Sequence, residues 1–258
     1  MIYSLGTKCL AEFIGSCGAI YICQSIVTNA ILPKGKGYGM GFGWISFGYG
    51  MGFFFPILVF WDMPALFNPA FCLALWILGS LKWYEVFALS LCQIAGAFIG
   101  SILVYIHWLP HFNIIQDDDA KDRDTKLACF TTSPGIYSPV NNFICEFMST
   151  ASLVIGVIMI VDRLNMSVAK QLTYIYGPFF IGIYIIVLLL GLGGPTALSI
   201  NPARDLGPRL AHWILPIPNK GSSHWKSYAW IPVLAAFCGS AAGAGIVMGI
   251  REMHIIMN

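Results

Sequence analysis

Hydrophobic positions along this chain gather into runs of two lengths. Six are long: residues 10–30, 42–60, 86–108, 142–161, 174–192 and 229–250 are each apolar over about 20 residues, the length a helix needs to cross a bilayer core of roughly 30 Å. Two are short. Residues 69–79 and 202–212 each follow an Asn-Pro and end after about 11 residues, so a helix there, at about 1.5 Å per residue, reaches only half-way through the membrane. The pattern predicts an all-α membrane protein of six transmembrane helices plus two re-entrant half-helices.

The order of these elements repeats. Ala11-Glu12-Phe13 opens the first long run, and Cys145-Glu146-Phe147 opens the fourth. The stretch from Glu12 to Asn68 is one residue longer than that from Glu146 to Asn201. Further on, Gly96 and Gly100 in the third run are echoed by Gly239 and Gly243 in the sixth, and the extra length before the second pair fits the polar loop 213–228. Three crossings per repeat force the second copy to be inverted. The chain therefore reads as a single membrane domain over residues 1–258, with inverted repeats at about 8–108 and 142–250. The glycine pairs read as close helix packing. Two short hydrophobic segments in matching places of two halves point to a site at the membrane midplane.

Composition agrees with lipid as the main solvent: 57% of residues are hydrophobic and only 10% are charged, against about 25% charged in a soluble domain. The net charge of +2 comes without any Lys/Arg run of the kind that binds nucleic acid. The eight cysteines contain no C-x-x-C and fall mostly in apolar stretches, where they pack as small hydrophobes. Residues 1–8 carry no small-residue cleavage site, so the first apolar run is expected to stay as a membrane helix.

The remaining pieces are short. Residues 109–141, with Asp117, Asp118, Asp119, Asp122 and Asp124, are expected to form a solvated loop, a metal site being the lesser alternative. The Gly-rich stretch 35–41 has no strand before it and reads as a flexible connection. Charge does not orient the chain. With both termini in the cytoplasm, Lys8, Lys82, Arg163, Lys170 and Arg251 fall inside, while Lys34, Lys36, Lys121, Arg123, Lys126, Lys220 and Lys226 fall outside.

Asn is a favoured N-cap and Pro is favoured at the first helical position, so one Asn-Pro-Ala says only that a helix begins. Two, Asn68-Pro69-Ala70 and Asn201-Pro202-Ala203, at equivalent points of two inverted repeats say more. Half-helices entering from opposite faces bring their N-termini together, each carrying about half a positive charge, and so repel cations at the midplane. The Asn68 and Asn201 amides offer donors to a passing oxygen. Non-helical backbone is tolerated at that depth where it lines a wet cavity. The carbonyls of Ala65, Leu66 and Phe67, and of Leu198, Ser199 and Ile200, are thus candidates for a ladder of acceptors.

The stretch Asn201-Pro-Ala-Arg-Asp-Leu-Gly-Pro-Arg-Leu210 resembles the second signature of the major intrinsic protein (aquaporin) family, with Asp205 typical of the glycerol-facilitator branch. Asn68 to Gly79 is similar to the first, and with the paired glutamates and glycines the resemblance covers essentially the whole chain. It implies cytoplasmic termini, a homotetramer with one pore per subunit, and Arg204 in an outer selectivity filter. Independently, an Arg in an otherwise apolar membrane segment is costly and normally faces a water-filled path; the alternative is an ion pair with Asp205. A fixed cation there opposes protons and cations and donates hydrogen bonds to hydroxyls.

By the family pattern, Leu198 belongs in the outer wall, and the fifth helix contributes Leu189 or Leu190. Phe47-Gly48-Tyr49-Gly50 resembles the family's aromatic-Gly-x-Gly, which makes Phe47 the aromatic wall if one insertion is allowed. No His stands at the fifth-helix position that narrows water-selective members. Where the family has Ser-Gly-Ala-His before the first Asn-Pro-Ala, this chain has Asp62-Met-Pro-Ala-Leu-Phe67. Asp62 either sits near the inner mouth or caps the second helix. Such divergent loops resemble those of glycerol facilitators from lactic acid bacteria, some of which also pass lactic acid. Glu12 and Glu146 read as supports that accept backbone N–H bonds from the re-entrant loops, with proton carriage as the alternative.

The expected function is a passive channel, not an enzyme, for glycerol, other small neutral solutes, water and protonated lactic acid. No cofactor or metal is implied, and no nucleic-acid partner. An ion-coupled transporter with inverted repeats, a membrane enzyme, and a non-conducting junction protein of the same fold are the rivals.

Overall fold

The computed structural model describes residues 3–166 and 173–257; Lys170, counted among the cytoplasmic charges, lies outside them. Ten helices follow one another among the described residues: α1 (Leu5–Ile31), α2 (Gly41–Val59), α3 (Pro69–Ile77), α4 (Trp83–His107), α5 (Leu109–Phe112), α6 (Asp119–Ala128), α7 (Pro139–Asn165), α8 (Thr173–Leu192), α9 (Pro202–Ile214) and α10 (Trp230–Met257). Six of them, α1, α2, α4, α7, α8 and α10, are long and apolar enough to cross a membrane. The two short ones that open on Asn-Pro, α3 and α9, are the half-helices.

Both half-helices start for the same local reason. The Asn68 side chain accepts from the Ala70 amide at 3.0 Å, and the Asn201 side chain accepts from Ala203 at 3.0 Å and Arg204 at 3.3 Å. Pro69 and Pro202 occupy the first helical position, where a missing N–H removes nothing the helix would use.

Packing repeats across the two halves. A Cβ on Gly96 would strike the Phe13 carbonyl and one on Gly100 the Cys17 carbonyl, so α4 lies backbone to backbone on α1. In the second half Gly239 meets the Phe147 carbonyl and Gly243 that of Ala151, joining α10 to α7 in the same way. An ion pair, Lys8 Nζ to Glu85 Oε1 at 2.7 Å, links the starts of α1 and α4. The main core, which includes Val27, Tyr49, Leu153, Ile181, Leu189 and Leu198, draws on both halves and surrounds the half-helix tips.

The segment 109–141 departs from the solvated loop expected of it. It carries α5 and α6, and Phe112, Cys129 and Phe130 are fully buried with Leu32, Ala211 and Ile217 in a second core over α9. Its acidic residues include a buried ion pair, Asp122 with Lys126 at 2.9 Å. Lys126 also donates to the Pro218 carbonyl at 2.7 Å, and Asn219 donates to Asp122 at 2.9 Å, tying α6 to the loop after α9. Burial alone would raise the Asp122 carboxyl, but the Lys126 ammonium and the Asn219 amide outweigh it and hold it below the usual range. Among the described residues no group of three or more His, Cys, Asp or Glu is placed to hold a metal ion.

Candidate functional site

The tips of α3 and α9 meet, and each asparagine reaches into the other half. Asn68 Nδ2 donates to the Ile200 carbonyl at 2.9 Å, and Asn201 Nδ2 donates to the Phe67 carbonyl at 2.7 Å. Those carbonyls are aimed by an uncommon backbone: Phe67 has φ 48° and Ile200 φ 44°, left-handed values that non-glycine residues rarely hold. Leu198, at φ 54°, is bent likewise. Strain of this kind, of order 1–3 kcal/mol per residue, persists where the surroundings over-determine it.

The glutamates supply that support. Glu12 accepts from the Leu66 amide at 2.9 Å and the Phe67 amide at 2.7 Å; Glu146 accepts from Ser199 and Ile200, both at 2.9 Å. Gln93 donates to Glu12 at 2.8 Å, a third bond with no counterpart expected from the chain's repeat. Each carboxylate thus holds two consecutive N–H groups just before an Asn-Pro, and turns the corresponding carbonyls the other way.

A cavity of about 350 Å³ runs past these tips. At one end it is lined by Tyr49, Leu189, Leu198 and Arg204, at its middle by Asn68 and Asn201, and at the other end by Trp61, Met63, Pro64, Asp162 and Arg251. Ala65, Leu66, Ser199 and Ile200 also line it. Phe67 does not: its ring is buried against α1, where a Cβ on Gly15 would strike it. The carbonyls of Phe67 and Ile200 accept from the opposite asparagine, so two of the six candidate acceptors are already engaged.

Arg204 is 5% exposed and lines the cavity. Nη2 donates to the Tyr49 hydroxyl at 2.8 Å and Nη1 to the Phe130 carbonyl at 3.4 Å. Asp205 instead pairs with Arg209, at 2.7 Å to Nε and 2.9 Å to Nη2, and accepts from the hydroxyls of Thr131 and Thr132. The alternative of an Arg204–Asp205 ion pair is set aside by this arrangement, in which Asp205 is already saturated.

The expectation for Phe47 is corrected, and two open alternatives are decided. Phe47 is half exposed on the outer surface and lines no part of the cavity. A helix turns about 100° per residue, so two residues from Tyr49 the chain faces nearly the opposite way. Leu190 is also exposed, one step round the helix from the buried Leu189. Asp62 is exposed beyond the C-terminal end of α2 and next to the cavity-lining Met63, while Phe60 is the C-cap of α2, so the reading of Asp62 as the cap of the second helix is set aside.

Three contributors escaped the sequence. Tyr49 stands two residues after Phe47 in the same aromatic-Gly-x-Gly stretch. The Phe130 carbonyl, held by Gln24 Nε2, has no sequence signature at all. Arg209 lay inside the quoted signature; its position four residues after Asp205 on one helix was the available signal. At the far end Arg251 and Asp162 form a two-point ion pair, 2.8 and 2.9 Å, on the cavity rim.

Six crossings in two inverted halves, with helix tips meeting beside a continuous cavity, define a multi-pass membrane protein of the pore-forming type. Residues 3–247 match the model of the Major intrinsic protein family, and the chain belongs to it. It is 39% identical over 238 residues to a probable glycerol uptake facilitator protein of Thermotoga maritima, covering 92% of this chain and 96% of that one. It is 31% identical over 240 residues to a D/L-lactic acid transporter of Lactiplantibacillus plantarum, covering 93% and 96%. Among solved structures, the aquaglyceroporin from Plasmodium falciparum superimposes with a TM-score of 0.77 over 94% of this chain and 95% of that one, at 22% identity, and so shares the fold.

Proposed function

We propose that the protein is a passive channel for glycerol and other small neutral solutes, with water and protonated lactic acid as further permeants. The observation that carries this reading is the mixed lining of the cavity: one buried cation, Arg204, and two asparagine amides share it with Leu189, Leu198 and Ile185. A polyol needs both kinds of surface, donors and acceptors for its hydroxyls and apolar wall for its carbons. Lactate as an anion would shed its hydration against leucines with one buried cation, Arg204, in return, so the neutral acid is the form that passes.

In this reading Arg204, Leu189, Leu198 and Tyr49 form the filter. Asn68 and Asn201, whose amides each keep a second N–H, form the central donors, and the carbonyls of Ala65, Leu66, Leu198 and Ser199 supply acceptors. Pro69, Pro202, Glu12, Glu146, Asp205 and the glycine pairs are structural support. The whole chain acts as one channel domain, and four copies assemble in the bilayer, each with its own pore.

The ion-coupled alternative requires a buried carboxylate free to exchange a proton. Glu12 and Glu146 are each committed to two backbone amides, which argues against it. The test is light scattering from proteoliposomes in a glycerol gradient, then in lactic acid across pH. Flux no faster than through empty vesicles rejects the channel, and lactic acid flux that does not fall as pH rises rejects the neutral-acid route.

A further inference from the structure

The contact between α1 and α4 carries a feature that the pore does not use. Gly96 rests on the Phe13 carbonyl and Gly100 on that of Cys17. Both contacts have the same offset, so the two helices run parallel in a fixed register. One turn back along each helix, the same register sets Cys9 opposite Cys92.

That register brings the two thiols side by side, and both are free and partly exposed. The spacing suits a bond. Helices pack at an axial distance of about 8–10 Å with Cα atoms about 2.3 Å from each axis, so directly facing Cα atoms lie roughly 3.4–5.4 Å apart. Positions turned partly outward, as these partly exposed thiols are, lie somewhat farther apart, within the roughly 4.4–6.8 Å that a disulfide spans.

The inverted repeat does not call for this pair. Where the second half repeats the glutamate and the glycines, the positions matching Cys9 and Cys92 are Phe143 and Ala235. Close packing therefore needs no thiols here. Nor is either sulfur committed to the pore: Cys9 and Cys92 line no part of the cavity. They do flank its support, since Glu12 stands three residues after Cys9 and Gln93 immediately after Cys92, and these two are bonded at 2.8 Å.

We infer that Cys9 and Cys92 form an oxidisable dithiol, a modification site that staples α1 to α4 beside the Glu12 anchor. The oxidant class is a small neutral hydroperoxide, which enters lipid-facing surface as a charged oxidant does not. One thiol, as thiolate, attacks a peroxide oxygen and becomes a sulfenic acid, releasing one water from hydrogen peroxide. The second thiol displaces the hydroxyl as a second water, closing the S–S bond. Two thiols and one peroxide give one disulfide and two waters. A dithiol reductant reverses the step.

The experiment uses the full-length protein in liposomes, treated with hydrogen peroxide or left reduced, then alkylated and digested without reductant. The expected result is loss of both free thiols together and appearance of a Cys9–Cys92 linked peptide, lighter by two hydrogen masses than its separate halves. The melting temperature rises on oxidation and returns with dithiothreitol. Cys9→Ser and Cys92→Ser each abolish the linked peptide and the rise, while Cys238→Ser keeps both. Unchanged alkylation of Cys9 and Cys92 after peroxide treatment overturns the proposal. So does linkage of either residue mainly to another cysteine or to a second chain.

Discussion

The Tyr49 hydroxyl accepts a hydrogen bond from Arg204 Nη2 at 2.8 Å, and the guanidinium carbon lies 5.3 Å from the centre of the same ring. One side chain thus holds the buried cation by both its edge and its face. Among the described residues Arg204 Nε has no partner and Nη1 only a long bond to Phe130, so the phenol is the firmest restraint on the guanidinium.

Tyr49→Phe is accordingly expected to loosen Arg204 while keeping the fold. The flux of longer polyols relative to glycerol should rise by up to about tenfold, the rate equivalent of roughly 1.4 kcal/mol for a lost bond to a charged group. Phe47→Leu, on the outer surface, should leave the ratio unchanged. Stopped-flow comparison of the two variants decides between them as filter residues.

Replacing Glu12 or Glu146 by Gln swaps one acceptor oxygen for an NH₂ that faces a backbone donor. Each change should destabilise the protein by about 1–3 kcal/mol, seen as a lower melting temperature in detergent. Solute selectivity of the surviving folded protein should not move, because neither carboxylate lines the cavity. A selectivity change without loss of stability would contradict this.

Arg209→Met leaves Asp205 as a fully buried charge whose ion partner is gone. The expected cost is about 3–5 kcal/mol, enough to lower membrane yield sharply. Adding Asp205→Asn should recover part of the loss, as measured by the fraction eluting as folded protein in size-exclusion chromatography.

The Asp122–Lys126 pair gives the α6 cap a pH dependence with a defined sign. Because the folded carboxyl is held below its ordinary value, its contribution is complete above the ordinary carboxylate range and is lost as pH falls through the depressed value. Amide exchange in α6 should stay slow from neutral pH down to that range and quicken below it. Asp122→Asn should exchange quickly at every pH.

Much of this was legible from the chain. Run length separated crossing helices from half-helices, and Glu12, Glu146 and the glycine pairs marked the repeat, because each depends on local spacing. The rest depended on rotation or on backbone. Choosing between Phe47 and Tyr49 needs the helix phase to within one residue, and an assumed insertion shifted it. In 109–141 the buried Phe112, Cys129 and Phe130 are diluted by acids, so the segment looked like solvated loop. Nothing in a residue's identity announces that its carbonyl, as at Phe130, will hold an arginine.

The exchanged bonds of Asn68 and Asn201 also bear on biosynthesis. Each tip is completed by a carbonyl from the opposite repeat, so the first half leaves the ribosome with its asparagine donor unanswered and its strained Phe67 carbonyl unclaimed. That half waits, inserted but unfinished, until the second tip arrives from the other face. The two repeats act as templates for each other's last step of folding, and a severed gene encoding them separately would be expected to yield a channel only when both products meet in one membrane.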